Sequence, residues 1–553
     1  MPHLRSAAFM RPSQPVERDD EDQEAGECVT EDSLGRGESM QVRKMFASAA
    51  GGSKYIRRGR SMDCIHFAEE DIRRGVPVTN VLACFGSILG TSQGSAATYD
   101  MSRPIERLGV FISHNWSTRR LPKFLTLAYH FNFVPALALC VVIDLVGGAL
   151  IGLHFVDVRI SLVNDIFVVE DMACLCTIAT CIAFPIVLLF GHDLWRFSPG
   201  KCRRPVVFLD KICIHQTDKD RQRKGIENLS AFLEASDRMV IVYTSTYLER
   251  LWTVYELATM LILRENPAIT VIPTEVVMIL CNAWVMMITF LSMHFLVVTI
   301  HWDFALLLGK VLIGVVTMPF IVQLRLWAKK RAMIWSQAKA FTIRGSNCAV
   351  ESDRKTVYGN VCILMRVCGY VHMSADDDAA LDAFDQLARD LVPLHLQNSW
   401  GRSGLPWRCG FSLSPVWLAV MADVLCSSEL WNATPSRIIC HTGIWLALAL
   451  AASPLWAAFA AWVSGWCIHL EGVREKIFLC LAWVLVCAAA VAMYWGSTLL
   501  WVCTWRQPEL VWVVAPCCCV AIAVTVQVYC LQPGTELQQD RVKTDYKAKS
   551  LKL

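Results

Sequence analysis

Two kinds of hydrophobic pattern alternate along this chain: long apolar runs, and short runs bounded by turns and helical repeats. A helix that spans a bilayer needs about 20 mostly apolar residues. Five stretches have no Asp, Glu, Lys or Arg over that length: 173–191, 276–300, 438–470, 477–505 and 510–535. Two more qualify with one internal charge each, Asp144 in 133–156 and Lys310 in 304–324. An eighth, 412–425, is short and contains Asp423. The pattern predicts seven or eight spans.

Charge in the connecting segments orients them, because Lys and Arg collect on the cytoplasmic side. Arg196, Lys201, Arg203 and Arg204 follow the second run, and Arg325, Lys329, Lys330 and Arg331 follow the fourth, so both segments read as inside. Asp157, Asp165, Glu170 and Asp171 against one Arg159 place the first loop outside. Arg474, Lys476 and the basic tail 534–553 also fall inside if the eighth span forms, which favours eight. Asn432-Ala433-Thr434 would then be an external sequon, weakened by Pro435. Residues 1–100 read as a mostly disordered tail. Nine acids and one Arg fill 17–32, followed by a basic, Gly/Ser-rich stretch, a composition that cannot offset the entropy of ordering. No basic start precedes an apolar core, so no cleaved leader is expected.

Between the spans the rhythm changes. Short apolar runs at 109–114, 204–210, 238–243 and 268–273 read as strands, and helical spacing separates them: Ile226, Leu229, Phe232 and Leu233, then Leu251, Tyr255, Ala258 and Ile262. Strands that are apolar throughout and alternate with helices predict a parallel sheet covered on both faces. The first two strands are separated by a pair of predicted spans, and an even number of spans returns the chain to the same side. The predicted architecture is therefore an α-helical polytopic membrane protein whose cytosolic α/β domain is interrupted by a transmembrane hairpin. The domain occupies 105–132 and 203–273, with hairpins at 133–191 and 275–327. A cytosolic segment follows at 328–410, then a bundle of three or four spans at 411–533. The apolar run 357–371 is the candidate fifth strand, followed by a helix over 376–391.

Composition agrees with this division. Hydrophobic residues are 54% and charged residues 18% of 553, against a usual ~25% charged. The net charge of +3 lacks the basic excess of a general nucleic-acid binder. The 24 cysteines include no CxxC pair and lie largely in apolar runs, where they act as small hydrophobes. No metal site is expected, since His114 and His215 stand apart from other ligand-type residues.

Four segments carry a resemblance to the Toll/interleukin-1 receptor (TIR) domain superfamily: Val110-Phe-Ile-Ser-His114, Phe208-Leu-Asp-Lys211, Val240-Ile-Val-Tyr-Thr-Ser-Thr-Tyr247 and Leu251-Trp-Thr-Val-Tyr-Glu-Leu-Ala258. Thr253 stands where the family usually has Cys, and 215–224 replaces its Pro-Gly loop. The match spans about a sixth of the chain, and the multi-pass context is similar to that of protist TIR-like membrane proteins. The resemblance implies a flavodoxin-like parallel sheet and a role in signalling through self-association or through other TIR-like domains. It also implies, in its enzymatic branch, cleavage of the nicotinamide–ribose bond of NAD, taken as a substrate and not as a cofactor. The catalytic acid of that branch falls on Glu256.

Such cleavage passes through an oxocarbenium-like centre, which a nearby carboxylate stabilises. Trp252 shares a helix face with Glu256, and Ser113, His114, Asp210 and Ser245 stand at the carboxyl ends of strands, where open sheets bind ligands. Each has a plain structural alternative: a salt-bridged helix acid for Glu256, a core aromatic for Trp252, a turn cap for Asp210, a loop anchor for His114. An intramembrane Asp144 is functional by default unless it pairs with a neighbouring helix, whereas Lys310 can snorkel. Three functions stay open: a membrane-anchored NAD-cleaving signalling protein, a non-enzymatic scaffold, and a channel or transporter with a regulatory domain. No transporter-type repeat is evident.

Overall fold

The computed structural model describes residues 67, 69–153, 155, 159–161, 171–197, 205–264, 267–300, 303–348, 351–401, 404–426, 434–529 and 542–544. The charged stretches before residue 67, Asn432, the basic residues at 201–204, the side chain of Lys310 and the tail apart from 542–544 lie outside them.

Strands β1 (Arg74–Pro77), β2 (Arg103–Pro104) and β3 (Leu108–His114) precede the first long helices, and helix α1 (Val78–Gly86) follows β1. Residues 69–104 are therefore largely structured, which corrects the expectation of a tail reaching residue 100. The reason is β1: its short apolar run pairs antiparallel with a strand some 130 residues away in sequence, a partner invisible to local composition.

From β3 the chain enters α2 (Arg120–Gly152), turns through a ribbon of β4 (Arg159–Ser161) and β5 (Asp171–Ala173), and returns along α3 (Leu175–Phe197). It then forms β6 (Val206–Phe208), α4 (Leu229–Ala235), β7 (Ser236–Tyr243), α5 (Leu251–Leu263) and β8 (Ile269–Pro273). The six-stranded sheet has the order β2-β1-β6-β3-β7-β8, with β6, β3, β7 and β8 parallel. Val110 pairs with Val207 and Phe111 with Phe208 across the inserted hairpin, so the α/β domain is split as the sequence implies. The rings of Phe111 and Phe208 stack at 4.6 Å, and Phe232 of α4 closes over Phe208 at 4.4 Å.

A second hairpin, α6 (Thr274–Ile300) and α7 (Asp303–Lys339), leads to α8 (Glu351–Val367) and α9 (Asp377–Trp400). The expected fifth strand is absent: the run from residue 357 forms most of α8. Its buried residues Val357, Val361, Leu364 and Met365 recur at three- and four-residue intervals, which is a helix period and not a strand period. The segment completes the α/β domain with helices. At the edge strand, Trp400 Nε1 donates to the carbonyl of Val271 at 3.2 Å, and Val271 N donates to Ser399 Oγ at 3.4 Å. An edge bonded in this way cannot pair with another strand. Trp400→Phe keeps most of the buried ring and removes one donor. It is expected to cost about 1–2 kcal/mol, read as a lower melting temperature, and an unchanged melt would mean that the carbonyl of Val271 gains nothing from the indole.

The remaining helices are α10 (Ser414–Leu425), α11 (Pro435–Ala447), α12 (Ser453–Ser464), α13 (Gly472–Arg506) and α14 (Val511–Tyr529), with a π-helical turn Leu448–Ala452 joining α11 to α12. Among the described residues, seven helices are long and apolar enough to cross a membrane: Arg120–Gly152, Leu175–Leu194, Thr274–Met293, Trp407–Leu425, Pro435–Ser464, Gly472–Met493 and Val511–Tyr529. The weakest of the sequence runs, 412–425, is among them. The run 304–324 makes the first half of α7 and is not counted in the seven.

Asp144 and Asp423, the two acids inside the apolar sequence runs, have defined partners. Asp144 Oδ1 accepts from Thr180 Oγ1 at 3.0 Å. Asp423 accepts from the backbone N–H of Cys176 at 2.9 Å and of Thr177 at 2.8 Å, so it caps the start of α3 from a different helix.

Candidate functional site

The site forms where β3 and β7 end. β3 is covered on both faces, so Val110, Phe111 and Ile112 are all buried, and it brings Ser113 and His114 to the carboxyl end, both still buried. After β7 the chain makes a tight turn, Tyr247–Glu249, before α5 begins. Thr253, in the first turn of α5, donates from Oγ1 to the carbonyls of Tyr247 and Arg250 and so locks that turn to the helix. This gives Thr253 a physical role in holding that turn.

One turn further along α5, Glu256 reaches the strand ends. Ser113 Oγ donates to Glu256 Oε2 at 2.5 Å and lies 2.6 Å from Tyr247 Oη. With the Ser113 proton directed to the carboxylate, the Tyr247 hydroxyl is the donor to Ser113. Burial raises the Glu256 carboxyl to about 8; the charge of Asp210 adds to the rise, and the bond from Ser113 opposes it. Burial also pushes the Tyr247 hydroxyl well above its ordinary value. Glu256 is therefore mostly protonated at neutral pH in this arrangement.

A second cluster borders the first. Asp210 Oδ2 accepts from Trp116 Nε1 at 2.7 Å, and its Oδ1 accepts from the N–H of Lys211 at 2.7 Å. Asp210 thus caps its own turn while steering the indole. Asn115 Nδ2 donates to Thr246 Oγ1 at 2.9 Å, and Asn115 Oδ1 accepts from Ser117 N at 3.0 Å, tying the loop after β3 to the loop after β7. The His114 ring lies 4.3 Å from that of Trp116. Burial lowers the His114 imidazole to about 4, Asp210 opposing and Lys123 reinforcing the shift.

Of the residues singled out from sequence, Ser113 and Glu256 meet directly. Asp210 stands beside them without bonding to either, and Ser245 is partly buried in the loop after β7 with no bond to Glu256. Trp252 is committed elsewhere: its Nε1 donates to Asp353 Oδ2 on α8 at 3.1 Å, and its ring sits 6.0 Å from that of Tyr255. The shared face with Glu256 does not make it a wall of the site, because α8 claims the indole. Tyr247, Asn115 and Trp116 were within or next to the quoted motifs, but their roles depend on cross-loop contacts that spacing does not reveal. Among the described residues no group of three or more His, Cys, Asp or Glu side chains could hold a metal ion.

Chemically, the arrangement is a carboxyl poised between two forms. Neutral, it ends a hydrogen-bonded chain that runs Tyr247–Ser113–Glu256. Ionised, it is a negative charge at the strand ends, able to stabilise a developing cation. No family model matches the chain, and no curated protein and no solved structure matches it.

Proposed function

We propose that the chain is a multi-pass membrane protein with a TIR-like signalling domain, and that Glu256 cleaves the nicotinamide–ribose bond of NAD. The observation that carries this reading is the hydrogen bond from Ser113 to Glu256 at the ends of parallel strands ordered β6-β3-β7-β8, a flavodoxin-like order with the carboxyl at its switch point. The nicotinamide ring of NAD is cationic, and a cation placed beside Glu256 would lower the carboxyl's pKa and favour the ionised form. Substrate would thus create the carboxylate that the oxocarbenium-like centre needs.

Eight crossings fit best with the helices. The ammonium of Lys543 donates to the carbonyl of Arg264 at 2.6 Å, so the chain beyond α14 comes back to the sheet. That return requires an even number of crossings after β3, which α7 supplies as the eighth. The basic residues Lys329, Lys330 and Arg331 on α7 would then lie on the cytosolic side with the sheet. The pairing of Asp144 with Thr180 supports a structural role for that acid and leaves the transporter reading without an observation in its favour.

The scaffold reading has one: burial favours the neutral form of Glu256, which is half-buried and already bonded to Ser113. NAD consumption by membranes bearing the wild-type chain, tested with the protein clustered and unclustered, decides between them. The expected result is turnover that falls to background in Glu256→Ala. Wild-type membranes that consume no NAD in either state would retire the enzyme in favour of the scaffold.

A further inference from the structure

Two buried groups near the carboxyl end of β3 are left without hydrogen bonds. Lys123, in the first turn of α2, has no accessible surface, and its Nζ has no hydrogen-bond partner among the described residues. The Nε2 atom of His114 is buried and equally unpartnered among them. Both groups face one ring: Lys123 Nζ is 4.6 Å from the centroid of Trp116, and the imidazole meets the same ring edge-on at 4.3 Å.

The neighbouring polar groups are already engaged. Lys211 Nζ lies 5.7 Å from the Trp116 centroid but donates to the carbonyl of Ile88 at 3.1 Å and to the carbonyl and hydroxyl of Thr91 at 2.8 and 3.2 Å. Both oxygens of Asp210 are engaged by Trp116 and by the N–H of Lys211. Two ammonium groups against one carboxylate leave a single positive charge in excess within the protein. An uncompensated buried charge costs several kcal/mol, and cation–π attraction to Trp116 returns only ~1–2 kcal/mol of it. The start of α2 adds to the imbalance: residue Arg119 at its cap supplies no side-chain bond to the exposed first N–H groups, which carry the positive end of the helix.

We propose that Lys123 and His114 form a pocket for the phosphoryl group of a ligand, with Trp116 as its wall. A phosphoryl group presents several acceptor oxygens, enough to meet an ammonium and an imidazole N–H together while cancelling the excess charge. Burial keeps the imidazole neutral, so Nε2 can carry the donated proton without adding a second charge. Ser113 and His114 leave β3 on opposite faces, and the two sites meet at the strand end beside Asp210, whose charge acts on both His114 and Glu256. On the functional reading above, the pocket would hold the phosphate end of a nucleotide that crosses this end to reach Glu256. The phosphoryl group has a second conceivable source, a lipid headgroup reached along α2, which runs from the pocket into the apolar hairpin.

Binding is measured on the full chain in a maltoside detergent, which carries no phosphate, with three probes: inorganic pyrophosphate, ADP-ribose and a soluble inositol phosphate. Wild type is expected to bind pyrophosphate saturably, and Lys123→Met to bind it about 10- to 100-fold more weakly, as losing one charge-assisted hydrogen bond implies. Lys123→Arg should retain binding, and His114→Phe, which keeps the ammonium and fills the ring's space, should weaken it. Saturable pyrophosphate binding by a wild-type chain that cleaves no NAD would leave the pocket standing and retire only the enzyme. Preference for ADP-ribose over the inositol phosphate supports a nucleotide, and the reverse order supports a lipid headgroup. Failure of wild type to bind any probe, or undiminished binding by both Lys123→Met and His114→Phe, would overturn the pocket.

Discussion

Glu256→Gln is expected to abolish a pH dependence of stability that the wild type shows between about pH 4.5 and pH 8. The Glu256 carboxyl is raised from 4.5 to about 8, chiefly by burial. The folded protein therefore holds this proton more tightly than the unfolded chain does. The sign follows by linkage: the stabilisation is fully present below the unfolded value and is lost as pH rises through the folded one. At about 1.4 kcal/mol per pH unit, the loss is on the order of 3–5 kcal/mol across the window. Gln keeps an oxygen to accept from Ser113 but cannot ionise, so the variant should be the more stable protein above pH 8 and roughly equal to wild type near pH 5. The measurement is the difference in melting temperature between the two proteins from about pH 5 to about pH 9. Taking the difference removes groups common to both, including His114, whose depressed value works in the opposite sense. A flat difference would mean that Glu256 titrates like a solvent-exposed acid, and the Tyr247–Ser113–Glu256 chain would not describe the resting protein.

Arg325→Ala should detach one end of the C-terminal bundle from α7. The side chain of Arg325 is 1% exposed. Its Nη1 donates to the carbonyls of Ser464 at 3.0 Å and Trp466 at 2.5 Å, and Nη2 donates to that of Cys467 at 2.7 Å. These carbonyls belong to the end of α12 and the turn beyond it, where helix geometry leaves acceptors unsatisfied. Cys467 takes a positive φ of 48° there, a conformation a side chain rarely adopts, so the turn depends on outside support. Glu475 at the start of α13 pairs with Lys329 at 2.5 Å and lies 3.5 Å from Arg325 Nε, extending the clasp to a third helix. Removing the guanidinium strands three acceptors and is expected to cost about 3–5 kcal/mol. Limited proteolysis should then cut within 465–471, and the melting temperature should fall. Arg325→Lys should recover part of the loss, because an ammonium lacks the planar fork that serves several carbonyls at once. Resistance of 465–471 to protease in Arg325→Ala would remove the clasp from the account.

The long apolar helical hairpins, the four parallel strands and the split between the first two were legible because each rests on a local period or on run length. The fifth strand was misread for a related reason: 357–371 is apolar enough for a strand, but its spacing at 357, 361, 364 and 365 suits a helix lying on α5. β1 was missed because four residues carry too little pattern to stand out from a charged tail. At the site, Glu256 and Ser113 could be named from motif positions, whereas Trp252 was assigned to the wrong neighbourhood, since i,i+4 spacing fixes a helix face and not what packs against it.

Run length and hydrophobic period alone established which segments form long apolar helices, which strands are buried on both faces, and which residues stand at strand ends. These follow from hydrophobic burial and backbone geometry, which act over a few residues at a time. Only the tertiary structure decided that Ser113 bonds Glu256 across 143 positions, that α8 takes the indole of Trp252, and that Lys123 is sealed in beside Trp116 without a hydrogen-bond partner among the described residues. A carboxyl's pKa and an ammonium's need for an anion depend on how much water is excluded and which groups remain nearby, and both quantities exist only once distant segments have packed together.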